Sequence, residues 1–242
     1  MTVLSVNLNK IALLRNSRGR DYPGVVEFAA RFLELGVQGI TIHPRPDERH
    51  IRRQDAYDLR AFLEGHPGIE LNIEGYPSDD FLRLVEETRP DQCTLVPDAS
   101  NQLTSDHGWN FHTQGGCVAD AVTAINGWNI RSAVFLDPDP AQLEGAVAAG
   151  SKRIELYTEA YARAWGGPEQ AQVLAQYHDV AVRAQALGLG VNAGHDLNLD
   201  NLPAFLSIPG ILEVSIGHAL TVECIEAGMA AVVGRYLEIC HG

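Results

Sequence analysis

Arg131-Ser-Ala-Val-Phe-Leu-Asp137, continued by Pro-Asp-Pro140, by Leu143 through Gly150 and by Arg153-Ile-Glu-Leu-Tyr-Thr158, is the stretch on which the fold turns. Two short apolar, β-branched runs are separated by a segment of helical pattern. Asp137-Pro-Asp-Pro opens that segment as a helix start, Leu143, Ala146 and Val147 share a face, and Gly150 closes it as a helix C-terminal glycine does. Strand, helix and strand in so short a span make a parallel unit with a crossover helix.

The unit recurs along the chain. Strand-like runs are Val3–Leu8, Gly39–His43, Ile69–Glu74, Gln92–Pro97, Arg131–Asp137, Arg153–Thr158, Gly190–His195 and Leu212–His218. Between them, Asp21-Tyr-Pro begins a helix whose Val25, Phe28, Ala29, Phe32 and Leu33 form one apolar stripe. Pro168 begins a longer helix that ends near Leu187-Gly188. Eight such units over residues 1–242 predict a single (β/α)8 TIM barrel domain with additional helices, ahead of an open doubly wound sheet. The turns carry neither GxGxxG nor GxxxxGK[ST], which weakens dinucleotide and P-loop readings.

Composition narrows the function. Of 242 residues, 45% are apolar and 20% charged, which excludes a disordered, collagenous or coiled-coil chain. A net charge of -13 repels a polyphosphate, so nucleic acid is not expected as a partner. The four cysteines form no CxxC pair and read as buried thiols in a reducing cytosol. The apolar run at Val3 is interrupted by Asn7, too short for a signal peptide, and no run has the length of a membrane helix. A cytoplasmic protein without membrane association is expected.

Barrel enzymes carry their chemistry at the C-terminal ends of the strands. Here those ends read Asn7-Leu-Asn9-Lys10, His43-Pro-Arg45, Asn72-Ile-Glu74, Glu155, Asn192-Ala-Gly-His195-Asp196 and Gly217-His218. His43, His195 and His218 converge on one mouth as proton carriers, whereas His66, His178 and His241 read as structural or surface residues. Glu74 and Glu155 face an apolar barrel, where burial raises a carboxyl pKa, although a salt bridge is the competing reading. Gly194-His195 and Gly217-His218 suit a phosphate met by backbone N–H groups. Arg15, Arg18, Arg20, Arg45, Arg49 and His50 form a second cationic region, with Arg20 and Arg49 read as surface pairs. Two anion sites imply two phosphorylated small molecules or a bisphosphate.

These residues leave other readings open. His43, Glu74, Glu155, His195 and His218 could ligate a divalent ion in a hydrolase or isomerase. Lys10, one of two lysines, could form a Schiff base in an aldolase. A phosphosugar-binding scaffold without catalysis is the reading from outside enzymes.

Across nearly the whole chain the sequence resembles the pyridoxine 5'-phosphate synthase (PdxJ) family. The segments that carry the resemblance are Val6-Asn-Leu-Asn-Lys-Ile-Ala-Leu-Leu-Arg-Asn-Ser-Arg-Gly19, Gly39-Ile-Thr-Ile-His-Pro-Arg45 with Arg49-His-Ile51, Leu71-Asn-Ile-Glu74, Leu95-Val-Pro97, Val191-Asn-Ala-Gly-His195 and Ser215-Ile-Gly-His-Ala219. The resemblance implies a barrel assembled as a homo-octamer, with neither metal nor organic cofactor. The implied reaction condenses 1-deoxy-D-xylulose 5-phosphate with 3-amino-2-oxopropyl phosphate to pyridoxine 5'-phosphate, phosphate and water. By the same resemblance His43 and Glu74 are proton acceptors, His195 is a proton donor and Glu155 stabilises charge. Arg45, His50 and Thr104 hold the deoxyxylulose phosphate; Asn7, Arg18, Gly217 and His218 hold the amino-oxopropyl phosphate; Asp98–Gly116 is a lid. Many members have Asp-His at Asn9-Lys10 and Gly at Asp196. Lys10 can donate to a substrate oxygen or phosphate, and Asp196 can face the substrate amine.

Overall fold

The computed structural model describes residues 1–98, 102 and 105–242. Eight parallel strands close a barrel in chain order: β1 (Val3–Asn7), β2 (Gly39–Ile42), β3 (Glu70–Gly75), β4 (Gln92–Leu95), β5 (Arg131–Leu136), β6 (Arg153–Tyr157), β7 (Gly190–Gly194) and β8 (Ile211–Ile216). β8 closes on β1 with Leu4 opposite Val214 and Val6 opposite Ile216. Each sequence-predicted run holds a strand, displaced by a residue or two at its ends.

The helices fill the outer ring. They are α1 (Asn9–Asn16), α2 (Val25–Glu34), α3 (Arg53–Leu63), α4 (Asp79–Thr88), α5 (Phe111–Gly127), α6 (Leu143–Ala148), α7 (Glu159–Ala164), α8 (Gln170–Ala186), α9 (Leu202–Phe205), α10 (His218–Ala227) and α11 (Met229–His241). β1, β6 and β8 are each followed by two helices, so the additional helices follow those strands. Val25, Ala29 and Phe32 of α2 are buried against the sheet, as the stripe requires. Asp21 does not cap α2: the helix starts after Gly24, and the Asp21 carboxylate lies 3.9 Å from Arg15. Asp139 caps the turn into α6 by accepting from the Ala141 N–H at 2.9 Å.

The strands bury both faces, as parallel strands do, but the two faces differ. Leu4, Val6, Ile40, Ile42, Leu71, Ile73, Val134 and Ile154 belong to the apolar core. The alternating positions meet inside the barrel and are polar: Ser5 with Thr41 at 2.7 Å, Asn72 Nδ2 to Thr41 at 3.4 Å, and the Thr94 hydroxyl to Asn72 at 3.1 Å. The expected apolar barrel interior is therefore corrected. Glu74 and Glu155 are buried among hydrogen-bonding groups rather than in hydrocarbon.

The cysteine reading needs a similar correction, since Cys93 and Cys240 are buried but Cys117 is exposed. Among the described residues no helix is long and apolar enough to cross a membrane.

Candidate active site

At the C-terminal mouth a cavity of about 490 Å³ is lined by Asn7, Asn9, Lys10, His43, Arg45, His50, Glu74, Glu155, His195, Asp196, Gly217 and His218, together with Arg49 and Ser215. One barrel end thus brings together residues taken from six strands and their following loops. Arg18 is not brought there; it lies exposed beyond α1. Thr104 and part of the Asp98–Gly116 segment lie outside the described residues. Among the described residues no three His, Cys, Asp or Glu side chains group as a metal-ligand set.

His43 follows β2, and its backbone N–H donates to Asn9 Oδ1 at 3.0 Å, tying the ends of β1 and β2 together. The buried ring lies between two carboxylates, with Nδ1 3.6 Å from Glu74 Oε2 and Nε2 3.8 Å from Asp98 Oδ2. Both separations exceed hydrogen-bond length. Burial lowers the His43 pKa to about 4, with Asp98 opposing and Arg45 and Arg49 adding to the fall. Burial raises Glu74 to about 8, helped by Asp98 and Glu213. Glu155 also rises, through burial first and then Glu74 and Glu213. At neutral pH the mouth therefore holds a free imidazole beside a protonated carboxyl group, a base and an acid within one proton's reach.

His195 is held by its backbone and its neighbours. It and Asp196 lie in the left-handed region at φ 82° and 56°, a conformation that non-glycine residues adopt only when the surroundings impose it. Thr158 imposes it here, because its hydroxyl donates to Gly194 O at 2.7 Å and also to His195 O, while Asn201 Nδ2 donates to Asp196 O at 3.0 Å. The ring sits 5.6 Å from Phe135 and 5.0 Å from Tyr157, centroid to centroid. Burial lowers its pKa, against Asp196 and Asp98. Gly194 is needed for contact: a Cβ there would lie 2.4 Å from Glu155 Oε1.

The anion-binding elements divide into two sets. α10 begins at the mouth, and its first-turn N–H groups at His218 and Ala219 make a positive end beside the cavity. Gly217 lets that end approach Asn7, whose Cβ a side chain at 217 would meet at 3.0 Å. Across the mouth, the Ile51 N–H donates to His50 Nδ1 at 2.9 Å, which fixes the neutral tautomer with Nε2–H as donor. Burial, with His43 second, lowers the His50 pKa to about 3.

Three sequence expectations change. Arg15 does not grip an anion: it is buried and forks onto Asp55 with bonds of 2.5 and 2.8 Å, also donating to His50 O at 3.2 Å. Arg45 reaches the mouth but is already engaged by Asp98 and by Gln102 O at 3.1 Å. His218 opens α10 as an exposed residue rather than ending β8. The surface-pair reading of Arg49 holds for its contact with Asp47 at 2.7 Å, although Arg49 also lines the cavity. His66 is structural as expected, contacting Phe62 O at 3.0 Å. The residue that sequence reasoning missed is Asp98; inspecting the end of the fourth strand, as was done for the others, finds it.

Comparison with known proteins bears on this site. The family model described as "Pyridoxal phosphate biosynthesis protein PdxJ" matches residues 4–242. The chain belongs to the PdxJ family. It is similar to curated members named pyridoxine 5'-phosphate synthase: 49% identical to that of Albidiferax ferrireducens over 98% of this chain and 96% of the relative. Against that of Chelativorans sp. it is 50% identical, over 98% of each chain. Against that of Porphyromonas gingivalis it is 47% identical, again over 98% of each chain. Among solved structures, it is similar to a thiamine phosphate pyrophosphorylase from Pyrococcus furiosus at TM-score 0.63 and 13% identity, covering 99% of this chain and 95% of that one. A phosphoribosyl anthranilate isomerase from Thermus thermophilus gives TM-score 0.61 and 16% identity, covering 98% and 100%. These structural likenesses show the barrel alone. In this PdxJ-family chain Asn9 is engaged with the His43 backbone, so it positions a site residue whatever else it touches.

Proposed function

We propose that this PdxJ-family enzyme is a pyridoxine 5'-phosphate synthase of vitamin B6 biosynthesis. It condenses 1-deoxy-D-xylulose 5-phosphate with 3-amino-2-oxopropyl phosphate and releases pyridoxine 5'-phosphate, phosphate and water. The observation that carries the reading is the meeting in one mouth of two imidazoles whose pKa burial lowers with two carboxyl groups whose pKa burial raises, within a chain that matches the family over residues 4–242. An amine must add to a ketone, water must leave, a carbon acid must lose a proton and the ring must close. Each step moves a proton, so carriers on both sides of neutrality are needed.

His43 is the free base of the resting site. Glu74 holds a proton there and becomes an acceptor once the cationic amine of the second substrate lowers its pKa. His195, its ring fixed between Phe135 and Tyr157, supplies protons to leaving oxygen. Glu155 stabilises charge that develops during these steps. The α10 end with Asn7, Gly217 and His218 takes the amino-oxopropyl phosphate; Arg45, His50 and Thr104 take the sugar phosphate. Lys10 donates to substrate oxygen, and Asp196 faces the amine. An Asp196→Gly variant with unchanged KM for both substrates removes that last role.

The enzyme works in the cytoplasm as a homo-octamer on small phosphorylated substrates, without metal or organic cofactor. Exposed Leu14 of α1 and Ile225 of α10, two neighbouring helices, support association of copies through that side. The test incubates purified protein with both substrates in the presence of chelator and follows pyridoxine 5'-phosphate and phosphate together. Formation of both, abolished by His195→Ala, is the expected result. Activity restored only by added metal, or trapping of Lys10 by borohydride, favours the metal-dependent or Schiff-base reading instead.

A further inference from the structure

We propose that Asp98, just beyond β4, is a positioning residue for proton transfer: its carboxylate fixes the tautomer of His43 and stabilises the imidazolium formed when that ring takes a proton. The inference rests on reading His43 as a base of the proposed synthase.

Asp98 is buried, and its Oδ2 is built into place by Arg45 and by the Ser105 hydroxyl, which donates at 2.8 Å. Its other oxygen, Oδ1, is also buried and has no hydrogen-bond partner among the described residues. A buried carboxylate oxygen without a donor is costly, and such an exception calls for a reason. The His43 ring approaches the carboxylate at its other oxygen. Its Nε2 lies 3.8 Å from Asp98 Oδ2, on the side opposite Glu74, which approaches Nδ1 at 3.6 Å.

An ionised carboxylate only accepts, so Asp98 favours the tautomer with hydrogen on Nε2. That leaves the Nδ1 lone pair facing Glu74, which retains its proton. Once the cationic amine of the second substrate favours the Glu74 carboxylate, the proton passes from Glu74 Oε2 to His43 Nδ1, leaving a carboxylate at Glu74 and an imidazolium at His43; the Glu74 carboxylate can accept the substrate proton. No bond other than O–H and N–H breaks or forms in this transfer, and the positive ring charge lies against Asp98. Positioned His between a carboxylate and a proton donor is the same logic as in a catalytic triad. Loose separations in an empty site tighten when substrate binds.

Glu74 faces His43 from β3 and Asp98 from the end of β4; Arg45 and Arg49 lie on the loop after β2; the His50 ring is 6.4 Å away; His195 approaches from the β7 end. Of these, Asp98 is the group that raises the affinity of His43 for a proton.

The test uses full-length wild-type, Asp98→Asn, Asp98→Glu and Ser105→Ala enzymes, with kcat and KM followed against pH and the His43 tautomer read by nitrogen-15 NMR without substrate. Asp98→Asn should lower kcat roughly 10- to 100-fold, move the acid limb of kcat to lower pH and shift the His43 hydrogen from Nε2 toward Nδ1. Asp98→Glu should recover part of kcat. Ser105→Ala, which keeps the charge, should lower kcat a few-fold without moving the limb, and it decides the matter if Asp98→Asn does not fold. The proposal is overturned by an Asp98→Asn enzyme with kcat within about twofold and an unmoved limb, by an effect on KM of the sugar phosphate alone, or by an unchanged tautomer. It is equally overturned if Ser105→Ala leaves kcat unchanged. Failure of the wild-type enzyme to form pyridoxine 5'-phosphate would instead overturn the function.

Discussion

At the N-terminal end of the barrel, Glu213 Oε2 accepts from Gln92 at 3.3 Å, from Asn192 at 3.2 Å and from Arg153 at 3.2 Å, and Glu70 accepts a two-pronged contact from Arg131. At the C-terminal end, among the described residues, Glu74 has only a neutral imidazole, 3.6 Å away at His43, as its charge-bearing neighbour in contact range, and Asp98 keeps one oxygen unpartnered. The same residue types on the same sheet are fully paired at one end and under-paired at the other. Burial pushes Glu213 up only to about 6, because Arg153 and Arg131 oppose it, while Glu74 rises to about 8. Pairing holds the barrel floor together, and its lack leaves the mouth groups free to move protons.

The contrast can be broken most sharply at the mouth. Glu74→Gln should lower kcat by roughly 10²- to 10⁴-fold while leaving the thermal midpoint within a few degrees, as steady-state kinetics and a melting curve would show. A paired floor predicts the reverse for Arg153→Met. Removing the cation leaves Glu213 buried and uncompensated, at a cost of about 3 kcal/mol in urea unfolding, with kcat per folded molecule near wild type. A loss of activity without loss of stability in that variant would mean the two ends are not separate.

The pH dependence of stability sharpens the comparison further. Folded Glu74 keeps its proton up to about pH 8, whereas its ordinary value is 4.5, so unfolding releases a proton between those limits. Stability should fall as pH rises through that window, and Glu74→Gln should flatten the fall. For Glu213 the window runs only from 4.5 to about 6, so Glu213→Gln should affect the acidic part alone. Urea midpoints taken between pH 5 and 8 separate the two; identical curves would contradict the assignment.

The smallest effects come from glycine. Gly188, at φ 84° with open space around it, should tolerate Ala at a cost of about 1 kcal/mol and unchanged kinetics. Gly194→Ala should instead displace Glu155 and reduce kcat, because the added methyl meets that carboxylate.

Much of this was legible in the chain. Short apolar, β-branched runs separated by helical segments located all eight strands, and the strand-end rule pointed to His43, Glu74, Glu155 and His195 because position along a barrel strand dictates which end a side chain reaches. Arg15 misled for a physical reason: an arginine near a predicted anion site looks like a ligand, and only the fold reveals that Asp55 of α3 already occupies its fork. Thr158 lacked a signal of its own, since what matters about it is the strained turn that it holds, and Asp98 had only its place after the fourth strand, because the ring it faces meets it only in the fold.

The sequence by itself determined the parallel barrel, the end that carries chemistry and the family, because periodicity, strand order and local motifs are properties of the chain. The tertiary structure alone decided which charges meet a partner. Protonation depends on burial and on charges a few ångströms away in space, so the retained proton of Glu74 and the neutral His43 exist only once the strands have closed.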